Sequence, residues 1–114
     1  MNYSNQLFKG SLTTIILNLL KETDKMYGYE ITKKVKELTN DELALTEGAL
    51  YPALHKLEAE GLLTASLENI GNRSRKYYSL TKKGTKEVNN KLIELKDFFI
   101  QMQTVFNLQL YSKK

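Results

Sequence analysis

The side chains able to do chemistry in this chain are few, and most are cationic. There is one histidine, His55, and no cysteine. That removes disulfides, thiolate metal sites and a cysteine nucleophile. It also leaves the imidazole without the partners that a metal site or a catalytic triad requires. No two carboxylates sit at a spacing that suggests acid–base work, and there is no glycine-rich phosphate loop. The expectation is a protein that is not an enzyme and carries no metal or other cofactor. What remains is donors and cations in two places. Tyr51, His55 and Lys56 lie within residues 46–63; Arg73, Arg75 and Lys76 lie close together with no acid between them. Hydroxyl, ammonium and guanidinium groups are the types that bind phosphate oxygens.

The first of these stretches predicts a helix. Leu50, Leu54 and Leu57 recur at spacings of four and three and so share one face. Thr46 is placed to cap its start, and Gly61 follows the last repeat, where a left-handed residue closes a helix. Gly48, Tyr51, Pro52, His55 and Lys56 fall off the apolar stripe. An ordinary solvated face carries mostly Lys, Glu and Gln. A small residue, an aromatic, a proline and two donors make a surface shaped to lie against something, and DNA fits it. Pro52 removes one helical hydrogen bond and crowds the carbonyl of Gly48, at least cost near the helix start. Glu47 there favours the positive end of the helix dipole or accepts from a cytosine amino group.

Leu12, Ile15, Ile16, Leu19 and Leu20 predict a first helix over 9–22, preceded by Leu7 and Phe8 and apolar on more than one side. A polar break follows, with Asp24 as candidate cap. Tyr27-Gly28-Tyr29-Glu30-Ile31 then opens a second helix with Ile31, Val35 and Leu38 inward. Gly28 is costly in a helix, so its presence predicts close packing against a neighbour. Lys33, Lys34 and Lys36 lie on the outer side. Two helices joined by a short turn, the second with an unusual outer face, follow helix-turn-helix logic.

After Gly61 the period changes to two. Leu63, Ala65 and Leu67 alternate with polar residues, and residues 76–80 give a second strand, with Tyr78 and Leu80 on one face. One of Tyr77 and Tyr78 is expected in the core. Turn formers between the strands predict a hairpin with a five- or six-residue tip; the tip and its second strand carry Arg73, Arg75 and Lys76. Such a hairpin directly after a helix-turn-helix is a wing. Thr81 then caps a last helix over about 82–110, roughly 45 Å long. Val88, Leu92, Leu95, Phe99, Met102 and Phe106 follow heptad spacing along it, and Ile93, Phe98 and Val105 widen the stripe. The rest of the domain is too short to cover that length, and exposing such side chains forfeits about 1.5–3 kcal/mol each. A second copy is the expected cover, related by two-fold symmetry. The expected seam, which also lines any effector pocket, is Ile15, Leu19, Val88, Leu92, Leu95, Phe98, Phe99, Met102 and Phe106.

The expected fold is therefore mostly α with a β-hairpin: a winged helix-turn-helix over 1–80 and a dimerisation helix over 81–114, one compact unit with the first helix. The 114 residues suit one domain, and 41% hydrophobic residues suffice for a small core. The net charge of +4 permits nucleic-acid binding. No apolar run approaches the roughly 20 residues of a membrane span, and the N-terminus lacks signal-peptide character. A cytoplasmic protein with no membrane partner is expected.

The chain resembles the PadR family of transcriptional regulators, specifically its small members with a single C-terminal helix. The resemblance covers roughly residues 7–110. It rests on Gly10-Ser11-Leu12, Tyr27-Gly28-Tyr29-Glu30-Ile31, Gly48-Ala49-Leu50-Tyr51-Pro52-Ala53-Leu54 with Leu57-Glu58-Ala59-Glu60-Gly61-Leu62, Arg75-Lys76-Tyr77-Tyr78, and Leu80-Thr81-Lys82-Lys83-Gly84. The third motif is the specific one. The resemblance implies a winged helix, dimerisation through the first and last helices, and repression from a palindromic operator. It also implies release by a small aromatic or apolar effector. Some small members stack planar drugs on tryptophan between subunits; this chain has no tryptophan, and Phe98, Phe99 and Met102 are the residues available to line such a space. The expected DNA-binding residues are Lys33, Thr46, Gly48, Ala49, Tyr51, Pro52, His55, Lys56, Arg73, Arg75 and Lys76. The competing expectation is a winged helix that kept the fold as a protein-interaction module without DNA binding.

Overall fold

A computed structural model describes residues 5–108 of the chain. The elements run α1 (Asn5–Lys21), β1 (Met26–Tyr27), α2 (Gly28–Leu38), α3 (Glu47–Ala59), β2 (Leu63–Ile70), β3 (Arg73–Leu80) and α4 (Lys82–Phe106). The strands form one antiparallel sheet in the order β1-β3-β2.

The core is built around α1. Leu12, Ile16, Leu17, Leu19 and Leu20 are all buried, because this helix packs against α4, α3 and β3 together. Ile31 and Val35 of α2, the Leu50/Leu54/Leu57 stripe of α3, Tyr78 of β3 and Val88 of α4 close around it. Leu38, expected inward, is 66% exposed; it is the last residue of α2 and lies past the turn that faces the core.

Capping fixes where the helices begin and end. Thr46 Oγ1 accepts from the Ala49 N–H at 3.2 Å and satisfies one orphan donor of α3. Pro52 is thus near the start of α3, where a missing N–H costs least. At the other end the Leu62 N–H donates to the Leu57 carbonyl and the Gly61 N–H to Glu58, each at 3.0 Å. This Schellman closure needs a left-handed residue, and Gly61 supplies it with φ 80°. The same closure ends α2, where Asn40 and Asp41 take φ 51° and 66°. Asp24 is not a cap. The cap of α2 is Tyr27, whose N–H donates to Glu30 Oε1 at 3.1 Å.

Two expectations about the sheet are corrected. Tyr27, expected to open the second helix, instead ends a short strand with Met26 of the polar break, Met26 opposite Tyr78 and Tyr27 opposite Tyr77. Two residues are too few to display a period, and the strand exists because β3 offers it a free edge. The hairpin tip is Gly71-Asn72 alone. Asn69 pairs with Ser74 and Ile70 with Arg73, and Ser74 Oγ donates to Asn69 Oδ1 at 2.8 Å. Turn-forming residue types thus lie inside the ladder as a cross-strand polar pair. Gly71, with φ 61°, occupies the first central position of a two-residue turn, where glycine is favoured. Leu67 is 72% exposed, because the outer half of the hairpin stands clear of the body.

Thr81 Oγ1 accepts from the Gly84 N–H at 3.0 Å and starts α4. Asn107, left-handed at φ 56°, ends it. The helix has 25 residues, about 37 Å, and stops short of the expected position 110, which lies outside the described residues. Its two halves differ. Val88 is fully buried against the body and Leu92 packs beside it, whereas Phe98, Phe99 and Phe106 are 55%, 49% and 60% exposed. Of the residues expected at the seam, Val88 and Leu19 are buried within the single chain. Ile15, Leu92, Leu95 and Met102 are half-buried.

Candidate nucleic-acid interface

The outer face of α3 is open. Thr46, Gly48, Tyr51, Pro52, His55 and Lys56 are exposed, and Ala49 is half-buried at the edge of the core. The tip of Tyr51 abuts Gly28, at the start of α2. A Cβ at Gly28 would overlap the Tyr51 hydroxyl, so the absent side chain makes room for the tip of the Tyr51 ring. Partial burial, then the nearby Glu47 and Tyr78, push the Tyr51 phenol above its ordinary range. Its hydroxyl can donate a hydrogen bond, as any tyrosine does at neutral pH.

Opposite this face stands the hairpin. A cleft of about 400 Å³ separates the two. Tyr51 and His55 line one wall, Arg73, Ser74, Arg75 and Lys76 the other, and Tyr27 and Gly28 lie between. Five of the expected site residues thus meet in one basic cleft. Lys33 does not join them. It lines a separate depression between α1 and α2 beside Lys34, Glu30 and Glu37, and Lys34 and Glu37 are 3.9 Å apart.

The cations of the hairpin are less free than the sequence suggests. The Arg75 guanidinium lies 4.4 Å from the centre of the Tyr27 ring, and that ring meets Tyr77 edge-on at 5.4 Å. Lys76 pairs with Glu58 of α3 at 3.8 Å and lies over Tyr78. Lys25 pairs with Glu68 of β2 and sits 5.0 Å from the Tyr77 ring; the hydrogen bond to Glu68 holds its ammonium above the ordinary lysine range. Both ion pairs are solvent-accessible, so they align the hairpin more than they stabilise the fold. Sequence reasoning missed Tyr27, Glu58 and Glu68. For Glu58 a signal existed, since the tight turn after α3 must bring β2 and β3 back along that helix. For Tyr27 there was none.

Among the described residues no group of three or more His, Cys, Asp or Glu could hold a metal ion. No described helix is long and apolar enough to cross a membrane.

A helix-turn-helix, a basic hairpin set against its second helix and a long C-terminal helix define a winged-helix protein. The chain belongs to the transcriptional regulator PadR-like family, whose model matches residues 16–90. Members of this family are regulators rather than enzymes. The chain is 33% identical over 81 residues to uncharacterized protein X of Lysinibacillus sphaericus, covering 70% of this chain and 73% of that protein. It superposes with a TM-score of 0.78 on a transcriptional regulator from Clostridium thermocellum, at 30% identity, covering 96% of this chain and 99% of the other. It is 31% identical over 97 residues to the negative transcriptional regulator PadR of Bacillus subtilis, covering 84% of this chain but only 53% of that protein. The structure of that PadR in complex with operator DNA matches with a TM-score of 0.65 at 30% identity, covering 79% and 58% of the two chains.

Proposed function

We propose that this chain represses transcription in the cytoplasm by binding a pseudo-palindromic operator as a homodimer. The observation that carries the reading is the basic cleft between α3 and the hairpin. The start of α3 enters the major groove, where Thr46, Gly48, Ala49, Tyr51 and Pro52 face the bases, and His55 and Lys56 approach the backbone. Arg73, Arg75 and Lys76 reach the adjacent minor groove or its phosphates, where arginine suits a narrow, negative channel. Lys33 approaches the backbone from α2. That Bacillus subtilis PadR is a negative regulator solved with operator DNA supports the assignment.

In this reading residues 1–80 bind DNA and residues 81–114, which contain α4, join two copies. The support is the exposed aromatic half of α4. Two-fold symmetry then places half-sites about 34–36 Å apart, one helical turn. A small aromatic or apolar effector enters between the subunits against Phe98, Phe99 and Met102 and releases the DNA.

Substitutions separate the roles. Arg73→Ala is expected to weaken binding to every duplex about equally and to reduce the slope of log affinity against log salt by about one. Tyr51→Ala should also narrow the gap between operator and random DNA, because α3 loses its seat on α2. Fluorescence anisotropy with both duplexes at several salt concentrations reads both effects. An unchanged salt slope for Arg73→Ala would remove the hairpin from the interface.

A further inference from the structure

Tyr27 and Gly28 are adjacent in sequence, yet they touch the two different walls of the cleft. Tyr27 carries the Arg75 guanidinium over its ring at 4.4 Å. Gly28 receives the tip of Tyr51. Both are held firmly. Tyr27 is paired with Tyr77 in the sheet, its N–H donates to Glu30 Oε1 at 3.1 Å, and its ring is flanked by Tyr77 at 5.4 Å and Tyr29 at 6.4 Å. Gly28 is buried at the first position of α2.

We propose that Tyr27 is a positioning residue for sequence selectivity: by holding Arg75 on its ring it sets where the hairpin arginine stands relative to α3. The proposal rests on the DNA-binding reading above. Arginine on an exposed strand is otherwise free to swing, and a free cation finds any phosphate. Held on an aromatic face, its fork is presented at one distance from Tyr51 and favours the duplex whose groove spacing matches. Tyr27 need not touch DNA for this. Its effect falls on discrimination, because the charge of Arg75 remains when the ring is lost.

The test uses the full chain and two probes: the tightest duplex it selects from a random-sequence pool, and an unselected random duplex. Tyr27→Leu is expected to lower the ratio of selected to random affinity about tenfold, while random-duplex affinity and salt slope stay as in the parent. Tyr27→Phe keeps the ring and should keep the ratio. Arg75→Lys keeps the charge without the planar fork and should lower the same ratio of selected to random affinity. The double variant should be no worse than either single change, since the two residues act as a unit. An unchanged ratio for Tyr27→Leu, equal losses on both duplexes, or additive effects in the double variant would overturn the proposal and leave the DNA-binding reading standing. Failure of the parent protein to select any duplex would overturn both.

Discussion

Gly84→Ala is expected to lower the melting temperature by roughly 15 °C. The added methyl would overlap the Leu62 carbonyl oxygen and come within 3.0 Å of Leu80 Cδ2. The carbonyl cannot retreat cheaply, because it also accepts the Thr81 N–H at 3.1 Å, the bond that ties the start of α4 to the end of α3. Overpacking of this kind costs about 3 kcal/mol at the upper end of its range. In a domain this small, each kcal/mol moves the midpoint by about 4–8 °C. Gly10→Ala provides the control. Nothing lies within 4 Å of a Cβ there, so helix propensity alone should stabilise the protein by up to about 1 kcal/mol. Thermal unfolding followed by circular dichroism compares the two. Equal midpoints would show that α4 is not docked on Leu62 as described.

Phe99→Glu is expected to yield monomers in sedimentation velocity with an unchanged circular dichroism spectrum. Phe99 is 49% exposed and its neighbours Phe98 and Ile100 are 55% and 48% exposed, so a charge there does not enter the core of one chain. It would enter the proposed seam, where an unpaired carboxylate must be desolvated. Operator affinity should then fall by about 10²–10⁴, because each half-site is bound without the second. Random DNA, contacted by one subunit at a time, should be affected far less. An intact dimer would move the seam to another face.

Much of this fold was legible in the residues because long elements carry periodic signals. The α3 stripe, its Thr46 cap and its Gly61 stop coincide with the structure, and α4 is a helix along the heptad run. Gly28 announced a close neighbour, and Tyr51 is that neighbour. What escaped was set by contacts between distant segments. β1 is two residues long and is defined by its partner, so Tyr27 looked like helix. The ladder through Asn69 and Ser74 looked like loop, because both residue types favour turns when no strand lies opposite. The heptad count could not separate burial within a chain from burial between chains; Val88 obeys the repeat yet belongs to the monomer core. Arg75 and Lys76 looked free because the groups that hold them, Tyr27 and Glu58, lie far away in sequence. Five of the residues that line the cleft were nameable in advance; their mutual spacing was not.

The central claim is sequence-specific DNA binding by this surface. Its most direct test is binding of the pure protein to the region upstream of its own gene, against excess random DNA, at two salt concentrations. The account predicts competitor-resistant binding that weakens steeply with salt, by about 10³-fold or more between 50 and 200 mM if six or more phosphates are contacted. Binding to that region no tighter than to random DNA, with a shallow salt dependence, would contradict it and favour a winged helix that docks another protein.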